Sequence, residues 1–178
     1  MAQSPLTPCV VIMAGLPGTG KTTIARTLAS ETGGIVLDKD RLRDALFSEP
    51  WIEYSQRQDD FCIEILLKTA GYLLSAPCVP PFLFIDGRVF ASRYQIDRVV
   101  TWSTDAGCCL KIIHTMCADG SAYERLKAGG HVARNRNYDL YLALKERFEA
   151  IEYANLTVDT EQSLGSCVNR CLSYLRTG

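Results

Sequence analysis

With 178 residues, the chain is long enough for one domain with a substantial core and too short for two ordinary ones. Apolar residues make up 47% and charged residues 22%, a globular balance that excludes a disordered or fibrous chain. The formal net charge of −1 gives no support to a large nucleic-acid footprint, although it leaves room for a local basic groove.

The opening MAQSPLTPC lacks a basic n-region, and the apolar stretch behind it is too short for a signal peptide or a membrane span, so a cytoplasmic protein without a membrane partner is expected. Short apolar runs then alternate with longer amphipathic ones. Strands are expected at Cys9–Ala14, Ile35–Leu37, Phe82–Asp86, Leu110–Met116 and Leu156–Val158. Helices are expected at about Lys21–Thr32, Arg41–Phe47, Glu53–Ser75, Ser92–Asp105, Ala118–Lys127, Tyr138–Ala154 and Glu161–Leu175. Within the third helix, Phe61, Ile65, Leu66, Thr69, Leu73 and Leu74 recur at helical spacing and read as its core face. Such alternation builds a three-layer α/β sandwich, a five-stranded parallel sheet with helices on both faces. One domain, residues 1–178, is expected, with a small lid at about 128–137.

The first strand runs into AGLPGTGKTT, Ala14 to Thr23. Gly15, Gly20, Lys21 and Thr22 satisfy G-x-x-x-x-G-K-[ST] between a buried strand and a helix, the P-loop context. Glycines let backbone N–H groups turn inward at a helix N-terminus, where the dipole also favours an anion. A nucleotide polyphosphate is therefore expected against Gly15, Pro17, Gly18, Thr19, Gly20, Lys21, Thr22 and Thr23. Lys21 would reach the outer phosphates and the Thr22 hydroxyl would help hold Mg²⁺. No Asn-Lys-x-Asp element of a switch GTPase occurs, and the third strand ends FLFIDGR with one acid, Asp86, instead of the paired acids of a mechanical ATPase.

The second strand leads into DKDRLRDALF. Residues at the C-terminal end of a parallel strand stand beside the P-loop, so this stretch faces the reacting phosphate. Asp40 and Arg43 share a helix face: the acid could take the proton of an incoming hydroxyl and the arginine could grip an acceptor. Helix capping is the competing role for these acids, and Asp38 is the better cap of the two. After the third strand, Arg88 is expected at the acceptor, while Arg93 and Arg98 face outward; Trp51, Tyr54 and Gln58 are candidate lining residues. Eight cysteines without framework spacing read as reduced thiols, mostly in the core. His114 and Cys117 lack a second ligand pair for zinc, His114 reads as interior and His131 as exposed.

GLPGTGKTT, LDKDRLRDAL, FIDGRVFASRYQ and YERL with its following basic segment together resemble the P-loop kinases grouped with polynucleotide kinase, zeta-toxin-type kinases and gluconate-kinase-like enzymes, over about residues 9 to 160. The resemblance implies Asp40 as general base and Arg43 as an acceptor-gripping arginine. It implies that Asp86 steadies Arg43 or the water shell of the metal, and that Arg125 contacts nucleotide. It also implies that the lid supplies Arg134 or Arg136 to the γ-phosphate. The function expected is transfer of the γ-phosphate of ATP, with Mg²⁺, to a hydroxyl of a small molecule such as a sugar, nucleoside or antibiotic. The alternatives are a polynucleotide 5′-hydroxyl kinase and, from another class, a nucleotide-binding regulatory ATPase subunit. A monomer or a homodimer is expected.

Overall fold

The structure, a computed structural model, describes residues 8–129 and 133–177. His131 and the middle of the expected lid lie outside the described residues. Five strands, β1 (Cys9–Ala14), β2 (Ile35–Asp38), β3 (Phe82–Asp86), β4 (Cys109–Met116) and β5 (Leu156–Asp159), form one sheet in the order β2-β3-β1-β4-β5. Every pairing is parallel.

The helices are α1 (Lys21–Thr32), α2 (Lys39–Leu46), α3 (Gln56–Leu74), α4 (Arg93–Asp105), α5 (Asp119–Lys127), α6 (Tyr138–Glu146) and α7 (Leu164–Arg176). Strand alternation sorts the core into two halves. Cys9, Val11 and Met13 of β1 face α1 and α7, meeting Ile24, Leu28, Val168 and Cys171. Val10, Ile12 and Ala14 face the other way, toward Ile63, Leu66 and Ala70 of α3 and Ile96 and Val99 of α4. As the central strand, β1 is buried at all six positions, which is why it reads as an unbroken apolar run.

Helix starts differ from the sequence expectation where a cap decides them. The Asp38 carboxylate accepts from the N–H groups of Asp40 and Arg41, so α2 begins at Lys39 and not at Arg41. Ser55 and Ser163 cap α3 and α7 in the same way, each starting its helix a few residues later than expected. The core face of α3 is Cys62, Ile63, Leu66, Leu67 and Ala70; Phe61 lies outside it, edge-on to Phe47, and Thr69 is exposed.

The largest correction concerns Tyr138–Ala154, where the helix stops at Glu146. Residues 147–155 instead follow tertiary contacts. Phe148 stacks on His114 with centroids 5.3 Å apart, the Arg93 N–H donates to Glu149 Oε2 at 2.6 Å, and the Tyr153 hydroxyl donates to Asp97 Oδ1 at 2.5 Å. His114 is accordingly half-buried on the Phe148 ring and not enclosed in the interior.

All cysteines are free; Cys9, Cys62, Cys167 and Cys171 are buried, Cys108, Cys109 and Cys117 half-buried, and Cys78 exposed. Among the described residues no group of His, Cys, Asp or Glu is arranged to hold a metal by itself, and no helix is long and apolar enough to cross a membrane.

Candidate active site

Parallel strands deliver their successors to one edge, and the site is assembled there. The loop after β1 enters α1 through Gly20, whose φ of 86° is the left-handed conformation that glycine adopts without a Cβ penalty. Gly20 has no side chain with which to cap α1, so among the described residues its first N–H groups remain open to an anion. The loop is tied down from behind: Gly15 N–H donates to Val89 O at 3.0 Å, and the Thr19 hydroxyl donates to Leu16 O at 2.7 Å and lies 2.8 Å from the Thr115 hydroxyl.

A cavity of about 440 Å³ opens over this helix start, a size within the usual range for small-molecule sites. Pro17, Gly18, Gly20, Lys21, Thr22 and Thr23 form one wall, and Arg125, Asp40, Gly87 and Arg136 close the others. Gly15 and Thr19 shape the loop without reaching that wall. Lys21 is buried and its ammonium donates to Leu16 O at 2.8 Å. Burial, and then the nearby Arg136, push its pKa down to about 7. Arg125 is held in place by β5's end, donating to Thr160 Oγ1 at 2.8 Å and Thr160 O at 2.9 Å and reaching Gly18 O at 3.3 Å.

A second cavity of about 320 Å³ lies on the far side of Asp40, lined by residues of α2, the β3–α4 connection, α4 and α6. Asp40, Gly87 and Arg136 belong to both cavities. Arg136 donates to Asp40 Oδ2 at 2.6 Å and to Gly87 O at 3.0 Å. On its other oxygen Asp40 receives Lys39 at 3.1 Å and Arg43 at 3.2 Å. Burial alone would raise the Asp40 carboxyl, but Arg136 and Lys39 outweigh it and hold the group below its usual range. Lys39 is itself lowered to about 7 by burial, with Arg43 and Arg136 adding to the effect.

Arg43, buried, also pairs with Asp59 of α3, to which Lys39 donates at 2.6 Å. Asp59 thus holds Arg43 in place, a part that the resemblance offered to Asp86. The Asp59–Asp60 pair sits in the first turns of α3, where acids are ordinary, and its partners lie far away in sequence, so nothing local marks it. Arg88 is buried, donating to Asp60 at 2.6 Å and to the Tyr94 hydroxyl at 3.0 Å, and it lines the second cavity with Tyr54. Gln58 does not line it: its amide bonds Trp51 O and the Glu53 N–H, and Trp51 is 72% exposed. Arg134 stands apart from both cavities, pairing with Glu49 at 2.8 Å on the surface.

Asp86 is fully buried at the end of β3, and among the described residues neither carboxylate oxygen has a hydrogen-bond partner. A buried, unpaired carboxylate is costly unless a cation or its water satisfies it. Asp86 itself lines neither cavity; the Thr22 hydroxyl, on the nucleotide cavity wall, and a carboxylate are oxygen donors of the kind that fit Mg²⁺ with retained waters.

A phosphate-binding loop at the C-terminal edge of this sheet, between helical layers, defines a P-loop nucleotide-binding protein. The chain belongs to the AAA domain family, whose model matches residues 10–150. No curated protein sequence matches it. Its fold is similar to that of a candidate kinase from Chloroflexus aurantiacus J-10-fl, with a TM-score of 0.73, 22% identity, and 96% of this chain and 100% of that one covered. A sugar kinase from Janibacter sp. HTCC2649 follows with a TM-score of 0.68, 19% identity, and 95% and 94% covered. A gluconokinase from Sinorhizobium meliloti 1021 gives 0.65, 17% identity, and 97% and 93%. The chain therefore has the P-loop kinase fold over nearly its whole length.

Proposed function

We propose that the protein transfers the γ-phosphate of ATP to a hydroxyl of a small molecule, with Asp40 as general base. The observation that carries this reading is the meeting of two cavities at Asp40 and Arg136, one over the P-loop and one without it. A carboxylate between a phosphate site and a second pocket stands where an acceptor hydroxyl would meet a terminal phosphate. The kinases among the structurally similar proteins point the same way.

In the proposed reaction, Lys21 leaves the Leu16 carbonyl for the outer phosphates, and Arg136 exchanges Asp40 for the charge on the transferring group. The acceptor oxygen bonds to the γ-phosphorus, the bond from that phosphorus to the bridging oxygen of ADP breaks, and the hydroxyl proton passes to Asp40. A base held below the usual carboxylate range suits this chemistry, because in a loose transition state the proton leaves late and the main demand is charge neutralisation. Mg²⁺ held through Thr22 and Asp86 would supply further neutralisation of the phosphate oxygens. Arg43 and Arg88 bind the acceptor in this reading, and Arg134 serves at most as part of the lid at about 128–137. The chain would act as a single domain, monomeric or homodimeric, in the reducing cytoplasm that its free thiols fit.

The deciding experiment incubates the purified protein and Mg²⁺ with γ-labelled ATP against sugars, nucleosides, aminoglycosides and oligonucleotides. Label in a small hydroxyl compound supports the reading. Label in oligonucleotides only, with steep salt dependence, would make it a polynucleotide kinase instead. Slow hydrolysis that no acceptor stimulates, with a stable ATP-dependent protein complex, would make it a regulatory ATPase.

A further inference from the structure

The cavity beyond Asp40 carries more positive charge than its own carboxylates can balance. Lys39, Arg43, Arg88, Arg136 and Arg147 line it, against Asp40 and Asp59. Both acids are already shared, Asp40 by Lys39, Arg43 and Arg136, and Asp59 by Lys39 and Arg43. Arg88 is 3% exposed and draws Asp60 from behind the wall, where Arg98 competes for the same oxygen at 3.3 Å. Arg147 donates its Nε–H to the Ala143 carbonyl at 3.0 Å and has no carboxylate within 4.0 Å among the described residues.

Unused polar atoms point the same way. Among the described residues the Nε of Arg88 and of Arg43 are buried without an acceptor, so neither guanidinium is fully satisfied by the protein. Buried cations that face one another in a low dielectric repel, and a neutral polyol would leave that repulsion in place. Lys39, lowered to about 7 by burial and by Arg43 and Arg136, registers it. An anion would relieve it.

We propose that the acceptor carries an anionic group of its own, a carboxylate or a phosphate monoester, which sits against Arg88 and Arg147 while its hydroxyl faces Asp40. This rests on the kinase reading for the hydroxyl, whereas the anion site stands on the cavity's charge. Such an acceptor neutralises the wall opposite the base, so charge and not hydroxyl stereochemistry sets the first level of selection. Arg147 is exposed, and its replacement leaves the core untouched.

The test fills the nucleotide cavity with a non-hydrolysable ATP analogue and Mg²⁺, then titrates inorganic phosphate, acetate and glycerol by calorimetry. Saturable one-site binding of at least one anion is expected, with none for glycerol. Arg147→Gln should weaken it about tenfold, the scale of one charged hydrogen bond. Arg170→Gln, the same charge change on an exposed position of α7, should retain wild-type affinity. Tighter binding of phosphate assigns a phosphate monoester, and tighter binding of acetate assigns a carboxylate. Failure of both anions to saturate, or equal weakening in both variants, overturns the proposal. Failure of the ATP analogue to bind would overturn the kinase reading instead, and the anion titration repeated without it would still decide the site.

Discussion

Arg136, from the segment before α6, lies on Asp40, at the start of α2, with its guanidinium 2.6 Å from Oδ2. This ion pair is the partition between the two cavities, and in the proposed reaction it covers Asp40 until a phosphate competes for Arg136. In that reading Arg136 is the arginine that exchanges Asp40 for a phosphate. Replacing it by Ala should lower turnover by about 10² or more, the scale of a transition-state arginine. Arg134→Ala, which breaks a surface pair, should change turnover by less than about threefold. Initial rates for the two variants check this, and equal losses would contradict it.

Asp40→Asn should leave nucleotide affinity within about threefold while lowering phosphoryl transfer by about 10² to 10⁴, the usual contribution of a general base. Nucleotide titration and single-turnover transfer separate the two effects. The variant also leaves Lys39, Arg43 and Arg136 short of a counter-charge, so its melting temperature should fall.

Asp86→Asn should move stability and activity in opposite directions. Removing a fully buried carboxylate with no hydrogen-bond partner among the described residues should raise the melting temperature of the metal-free protein, while the Mg²⁺ concentration needed for half-maximal rate should rise. Thermal melts in chelator and a Mg²⁺ titration measure the two. A lower melting temperature would show that Asp86 has a structural partner after all.

Lys21 ties stability to pH. Its ordinary pKa of 10.5 falls to about 7 in the folded chain, mainly through burial. Between those values the unfolded chain holds a proton that the folded one lacks, so stability rises as pH climbs through that window, and the full cost of charging is present below about 7. Lys39 adds a dependence of the same sign. Bound polyphosphate should recharge Lys21, so nucleotide binding near pH 8 should take up a proton. Calorimetry in buffers of different ionisation enthalpy reads this uptake directly, and a heat that ignores the buffer would refute it.

Gly87 links the loop after β3 to α2. Its φ is +86°, and a Cβ there would stand 2.9 Å from the Asp40 N–H nitrogen and 3.0 Å from Asp38 Oδ1. Gly87→Ala should cost about 1–3 kcal/mol in backbone strain and lower the melting temperature by roughly 2–4 °C for each kcal/mol. It should also raise the KM for the acceptor, because the clash displaces the start of α2 and Asp40 with it.

The parts of this molecule written in local pattern are legible in the sequence itself. β1 and β3 match their expected bounds because buried parallel strands are continuous apolar runs, and the P-loop declares itself by spacing and context. Asp40 and Arg43 were legible for the same reason, being three apart on one helix. What was not legible depends on distant pairing. Asp59 meets Arg43 and Lys39 across α2 and α3, Thr160 meets Arg125 across the sheet, and residues 147–155 leave the helical path to dock on His114, Arg93 and Asp97. Periodicity could not say that a helical pattern would be abandoned for such contacts, nor which of two lid arginines reaches Asp40.

Thr160 lies beyond the span that the family model matches, yet it aims Arg125 at the phosphate loop, and its hydroxyl also donates to Thr19 O at 3.2 Å. A fragment trimmed to residue 150 would keep the lysine, the threonine and the acid but lose the strut that braces them. It would also strip α7 from the core half that backs β1. The structural unit is therefore longer than its recognisable signature, and its tail braces the phosphate loop as much as it completes the core.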